Sequence, residues 1–219
     1  MDLCQEFSAQ AISALQDACT VDWHEFAPVE EMAWEMARQP RLDLQPALTE
    51  HEWLRLVRAQ HAANFELWHT EDRARAPGAT DAQLATVKRS IDRLNQRRND
   101  LAERCDELLL SVLAPRNLPS AAAPLHSETP GLMIDRLSIL ALKIFHTEEQ
   151  VERADAPLGH VEKNRARLMI LREQREDLAC CLDALWQQVL AGKRRFKLYR
   201  QLKMYNDPAL NPAIYSAKP

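Results

Sequence analysis

The sequence predicts an all-α protein with a four-helix-bundle-like core made of two pseudo-repeated long helical hairpins. Three observations predict it. Only four glycines occur in 219 residues, against an average usage of about 7%; this argues against folds built on Gly-rich loops or on a glycine at every turn. Leu, Ala, Arg, Glu and Gln dominate the chain, and all are good helix formers. Finally, the chain aligns with itself without a gap when His69 is laid on His146. His69-Thr70-Glu71-Asp72 then falls on His146-Thr147-Glu148-Glu149. Between 94–109 and 171–186, seven of sixteen positions are identical: Leu94, Arg98, Asp100, Leu101, Ala102, Asp106 and Leu108 against Leu171, Arg175, Asp177, Leu178, Ala179, Asp183 and Leu185. About one match is expected by chance, so a duplicated helical hairpin is the reading.

The elements follow in order. Residues 1–47 read as an N-terminal helical extension. An amphipathic helix over about 3–18 carries Leu3, Phe7, Ile12 and Leu15, and a Pro-interrupted stretch holds Trp23, Phe26 and Trp34. Residues 48–219 read as the bundle domain, with pseudo-repeats at 49–113 and 130–190 and a basic segment at 193–215. Thr49 to Arg75 is one helix, opened by the capping box Thr49–Glu52 and broken by Ala76-Pro77-Gly78. Thr80–Gln83 is a second capping box and opens a helix that ends before Pro115. Residues 114–129, rich in Pro, Ala and Ser, are a linker. Thr129 caps the next helix, with Pro130 at its first position. That helix runs to about Asp155. After the turn Ala156-Pro157-Leu158-Gly159, a last long helix reaches Leu190 with Gly192 as its C-cap. A shorter basic helix at 193–205 and an extended tail are expected to finish the chain.

Composition bounds the function. The net charge of −4 disfavours a globally basic nucleic-acid binder. No run of 18 apolar residues exists, so no membrane span is expected. Met1–Phe7 lacks the basic and apolar regions of a secretory signal. Five cysteines without a C-x-x-C pair read as reduced, buried thiols in a cytoplasm, with core or surface positions both open for Cys180 and Cys181.

The second helix of each hairpin carries an apolar seam, and both seams are interrupted by arginine at the same place. One runs Leu84, Val87, Ile91, Leu94, Arg98, Leu101, Cys105, Leu108, Val112. The other runs Val161, Asn164, Leu168, Leu171, Arg175, Leu178, Leu182, Leu185, Val189. A guanidinium facing a core is costly unless paired and hydrogen-bonded. On the first helices, Glu71 and Glu148 continue the apolar faces of Leu67 and Ile144, with His69 and His146 half a turn away. Pairing of Arg98 with Glu71 inside one hairpin conflicts with the spacing. Glu71 precedes Gly78 by seven residues and Arg98 follows it by twenty, an offset of about 20 Å on ideal helices. Pairing across the two halves is the alternative.

Two readings stand side by side. In one, the arginines form buried salt bridges that fix bundle register. In the other, a polar pocket at the bundle centre uses His69, Glu71, His146 and Glu148 as catalytic groups and Arg98 and Arg175 as ligand-binding groups for an anion. Glu66-Leu-Trp-His69 has the E-x-x-H spacing of di-iron bundles, but the second half has Lys143 in place of that Glu, so no metal and no cofactor is expected. In the basic segment, Arg195, Lys197, Arg200 and Lys203 are candidate phosphate ligands; the plain alternative is a solvated face docked by Phe196 and Tyr199.

Four stretches resemble a known family: Leu67-Trp-His-Thr-Glu-Asp-Arg-Ala-Arg75, Ile91-Asp-Arg-Leu-Asn-Gln-Arg-Arg-Asn-Asp100, Glu128-Thr-Pro-Gly-Leu-Met-Ile-Asp-Arg-Leu-Ser-Ile-Leu140 and Phe196-Lys-Leu-Tyr-Arg-Gln-Leu-Lys-Met-Tyr-Asn-Asp-Pro208. They are similar to the bacterial family catalogued as domain of unknown function 4254, over roughly residues 50–215. The resemblance implies an all-helical protein. It also implies a role beside glycosyltransferases of lipopolysaccharide and surface-polysaccharide assembly, with no assigned reaction. The expectation is therefore an accessory or ligand-binding protein of surface-glycan synthesis, partnered with a glycosyltransferase or a phosphorylated or nucleotide sugar. The alternative is a small cofactor-free enzyme that moves protons through the His/Glu/Arg set.

Overall fold

Helix boundaries fall where the sequence places its capping residues, glycines and prolines. The structure is a computed structural model, which describes residues 3–22, 50–202 and 208–210. Six α-helices are described: α1 (Leu3–Glu6), α2 (Ala9–Val21), α3 (Glu50–Ala74), α4 (Asp81–Leu113), α5 (Pro130–Glu152) and α6 (His160–Leu190). The single N-terminal helix expected over 3–18 is instead two. The chain breaks at Phe7-Ser8, and the Ser8 hydroxyl accepts from the Ala11 N–H to start α2. The capping box expected at Thr49 and the stretch with Trp23, Phe26 and Trp34 lie outside the described residues. The one at Thr80 is formed: Thr80 Oγ1 accepts from the Gln83 N–H at 3.3 Å, and Gln83 Oε1 accepts from the Thr80 N–H at 2.9 Å. Thr80→Ala is expected to lower stability by about 1 kcal/mol, read as a shift in urea midpoint without a change in slope.

The duplicated hairpins are present. α3 packs against α4 and α5 against α6, each pair antiparallel around a short turn. The two first helices, α3 and α5, lie side by side and parallel. Repeat mates meet along their contact: His61 Nδ1 is 2.8 Å from Ser138 Oγ, and the rings of His69 and His146 have centroids 5.5 Å apart. A pseudo-two-fold axis thus runs between α3 and α5. α4 packs on α5 to close one side. On the equivalent side, between α3 and α6, α2 is inserted and touches α3, α5 and α6. The N-terminal helix is a fifth member of the bundle.

One identity of the repeat explains this substitution. Asp106 and Asp183 are repeat mates. Asp106 Oδ1 accepts from the Gly131 N–H at the start of α5 (2.7 Å), and Asp183 Oδ1 accepts from the Ala9 N–H at the start of α2 (2.8 Å). Each side chain satisfies an orphan helix donor and lies at the positive end of the helix dipole. α2 therefore stands to α6 as α5 stands to α4.

The apolar core is densest at the end of the bundle where α2, α3 and α5 begin. Phe7 stacks on Trp186 (centroids 4.7 Å) and tilts against Trp53 (5.8 Å), and the Trp186 indole N–H donates to Cys4 O. Leu56, Leu109, Leu113, Ile134, Leu182 and Phe196 complete it. Towards the other end the α4 seam runs out of the core: Leu94, Leu101, Cys105 and Leu108 are buried, whereas Leu84 is exposed.

The expected basic helix at 193–205 is not formed: residues 193–202 are non-helical. Their backbone groups pair with the linker instead. Arg195 N–H donates to Pro124 O, His126 N–H donates to Arg195 O, and Leu125 and Arg195 form a parallel bridge. Phe196 is buried in the core, which holds the segment across the bundle end as an extended strap. A helix here would turn the pairing groups inward onto themselves and pull Phe196 from its pocket.

Candidate functional site

The polar groups at the bundle centre form a hydrogen-bonded chain that the seam periodicity does not predict. Thr20 Oγ1 donates to Gln16 O at 2.8 Å, because a carbonyl can only accept. Its hydroxyl proton is thereby committed, so at 2.9 Å from His61 Nε2 it accepts, and the ring is the Nε2–H tautomer. His61 Nδ1 then accepts from Ser138 Oγ (2.8 Å), and Ser138 Oγ in turn accepts from Asn64 Nδ2 (3.0 Å). Asn64 Nδ2 also donates to Asp135 Oδ1 (3.0 Å), which accepts from Gln60 Nε2 as well (2.7 Å) and ion-pairs with Arg98 Nε (3.1 Å). The chain joins α2, α3, α4 and α5. His61 and Ser138 are fully buried. Burial, then the charge of Arg175, drops the His61 pKa to about 3, so the imidazole is neutral. Burial raises the Asp135 pKa, and Arg98, Asn64 and Gln60 act against that rise. A Ser–His contact sealed from solvent has no route for a substrate, and here it joins the repeat mates across the pseudo-two-fold.

The six residues read from the sequence as one pocket are divided among three places. Arg98 reaches across to Asp135 of the other half. Arg175 donates to both oxygens of Asp17 on α2 (2.7 and 2.9 Å) and to Ser13 O (2.8 Å). Neither arginine pairs with the repeat's own glutamate. Glu71 accepts from Arg75 at 2.8 Å, and Glu148 accepts from Arg172 at 2.6 Å. His69 and His146 meet on the pseudo-axis, His146 Nδ1 lying 2.7 Å from Glu149. Desolvation first, then the neighbouring His146, lowers the His69 pKa. A further arginine escaped the seam count. Arg97 is almost fully buried and pairs with Glu66 at 3.3 Å. Glu66 thus faces a guanidinium, and among the described residues no cluster of three or more His, Cys, Asp or Glu could hold a metal ion.

Two clefts flank the histidine pair, and repeat mates line both. The first, about 450 Å³, lies between α3, α4 and α5 and includes Asn64, Leu67, Trp68, Glu71 and Arg98. The second, about 550 Å³, lies between α2, α5 and α6 and includes the mates Ala141, Ile144, Phe145, Glu148 and Arg175. Glu71 and Arg98 therefore share one cleft, and Glu148 and Arg175 the other.

The candidate phosphate ligands of the C-terminal segment do not converge either. Arg195 Nε donates to Ala123 O at 2.8 Å. Arg200 is held by Glu103 at 3.0 Å and by Glu107 at 2.6 Å. Lys197 Nζ lies 5.3 Å over the Tyr199 ring. Lys203 lies outside the described residues.

Residues 54–198 match the model of a family described as "Protein of unknown function (DUF4254)". No curated protein and no solved structure matches the chain.

Proposed function

We propose that this chain, which belongs to the DUF4254 family, is a binding protein that assists bacterial surface-glycan synthesis in the cytoplasm by engaging a glycosyltransferase or its sugar substrate. One observation supports a binding role over catalysis. Arg98 and Arg175, the guanidiniums placed to take an anionic substrate, are each already matched by a carboxylate of the chain itself, Asp135 and Asp17. His61, the fully buried histidine of the centre, is neutral and enclosed. The polar centre ties α2 and the two halves together, which leaves the clefts and outer helix faces for recognition. Among the described residues no helix is long and apolar enough to cross a membrane. The glycan setting comes from the four stretches that resemble the family.

The test is reconstitution. The purified chain, incubated with nucleotide sugars and sugar phosphates, is expected to leave them unchanged, and to raise product formation when added to a surface-glycan glycosyltransferase. Turnover by the chain alone would overturn the reading. Arg175→Met supplies the internal control. Asp17 is half exposed, so water can take the place of the lost guanidinium; stability is expected to fall by about 1 kcal/mol, and the stimulation is expected to persist. If Arg175 instead grips a substrate anion, the folded variant loses activity.

A further inference from the structure

We infer that the cleft between α3, α4 and α5 is a binding site for an uncharged sugar ring. The inference deepens the binding-protein reading above and rests on it.

The walls set the ligand chemistry. Leu67, Ile139 and Leu142 supply an apolar floor, and Trp68 an aromatic wall. The Trp68 indole is held by the His146 imidazole, which lies nearly parallel to it (12°) with centroids 4.9 Å apart. A fixed aromatic plane presents contact area at little entropic cost. The rim carries two guanidiniums and two carboxylates: Arg75, Arg98, Glu71 and Asp72. These are mutually neutralised. Arg75 pairs with Glu71 (2.8 Å) and Asp72 (3.6 Å), and Arg98 pairs with Asp135 beneath the cleft. An anion would have to compete with Glu71 and Asp72 for Arg75 and with Asp135 for Arg98, and a free phosphate gains little there. A hydroxyl donates and accepts at once, so vicinal hydroxyls can give to a carboxylate and take from the adjacent guanidinium without separating the pair. A pyranose offers both surfaces: a C–H face for the indole and floor, and an edge of hydroxyls for the rim. The volume lies within the roughly 300–1,000 Å³ range of small-molecule sites. The mate cleft has Phe145 where this one has Trp68 and Ala141 where it has Asn64, so the first cleft has the larger aromatic wall.

The test uses the full chain and saturation-transfer NMR. The probes are methyl α-glucoside, methyl α-galactoside, methyl α-mannoside and lactose, with glucose 1-phosphate, inorganic phosphate and uridine as competitors. At least one neutral glycoside is expected to bind, undisturbed by phosphate. Trp68→Ala is expected to weaken that binding by about tenfold or more, and Trp68→Phe to retain most of it. Arg75→Ala alters only an exposed rim side chain. It is expected to weaken binding severalfold, and it carries the test if Trp68→Ala fails to fold. The inference is overturned if no neutral glycoside binds, if binding requires the phosphate, if uridine binds and glycosides do not, or if the folded variants bind like the parent. Failure here leaves the reconstitution result standing, because stimulation of a glycosyltransferase through a protein contact needs no sugar in this cleft.

Discussion

Gly131→Ala is expected to lower the thermal midpoint by about 6–12 °C, from a loss of about 3 kcal/mol at roughly 2–4 °C per kcal/mol for a chain of this size. Glycine inside a helix is ordinarily a liability, and replacement by alanine in an open site gains about 1 kcal/mol. Here the sign reverses because α5 starts against the backbone of α4. A Cβ on Gly131 would lie 2.1 Å from Ala102 O and 2.9 Å from Asp106 Cγ. The carbonyl belongs to the α4 ladder and cannot rotate aside, so the two helices must separate. That movement stretches the Asp106–Gly131 hydrogen bond and loosens Ile134 and Leu137, which are fully buried further along α5. Differential scanning calorimetry checks the shift. A midpoint equal to or above that of the parent would mean that α4 and α5 are not in contact at this point.

The second large effect is in pH dependence. Two buried groups oppose each other. His61 has its pKa depressed from 6.5 to about 3, so the folded chain refuses a proton that the unfolded chain takes up. Its share of stability is complete above pH 6.5 and is lost as pH falls towards 3. Asp106 has its pKa raised by burial from 3.8 to about 7, against the bonds from Thr129 and Gly131. The folded chain keeps a proton that the unfolded chain gives up. Its share is complete below pH 3.8 and is lost as pH rises towards 7. Each slope is about 1.4 kcal/mol per pH unit, so between about pH 4 and 6.5 the two cancel. In urea titrations the parent is expected to show a shallower dependence on pH there than a variant that keeps only one of the two groups. Asp106→Asn keeps the acceptor oxygen and removes the titration. Relative to the parent, it is expected to steepen the rise of stability with pH by about 1.4 kcal/mol per pH unit between about pH 4 and 6.5. Parallel profiles for parent and variant would show that Asp106 is ionised throughout that range.

Much of the architecture was legible because local signals carried it. The Thr80 box, Pro130 at a helix start and the glycines at 78, 159 and 192 mark boundaries by short-range chemistry. The self-alignment reports the pairing of hairpins. Periodicity was weaker as a guide to partners. It placed Arg98 and Arg175 on inward faces, yet could not say that Asp135 and Asp17 meet them, because those contacts join separate elements. Asp17 was hidden further, since α2 replaces a helix that symmetry would take from the other hairpin. His61 lies between Gln60 and Asn64 on a run of α3 that is buried from 59 to 65, and its significance depends on Ser138 in the other hairpin. That the two are repeat mates was a signal available in the sequence. The basic segment misled because helix propensity favours Lys, Arg and Leu, whereas one buried phenylalanine and two backbone bonds to the linker decide the local shape.

The position of α2 has a consequence for the order of assembly on the ribosome. α2 leaves the exit tunnel before each of the helices it touches, α3, α5 and α6; Ala9 and Asp183 are separated by 174 residues. Until α6 emerges, α3 and α4 can pair locally but the surface that receives α2 is incomplete. Such a topology is slow to close and invites a passing copy of α2 from another nascent chain.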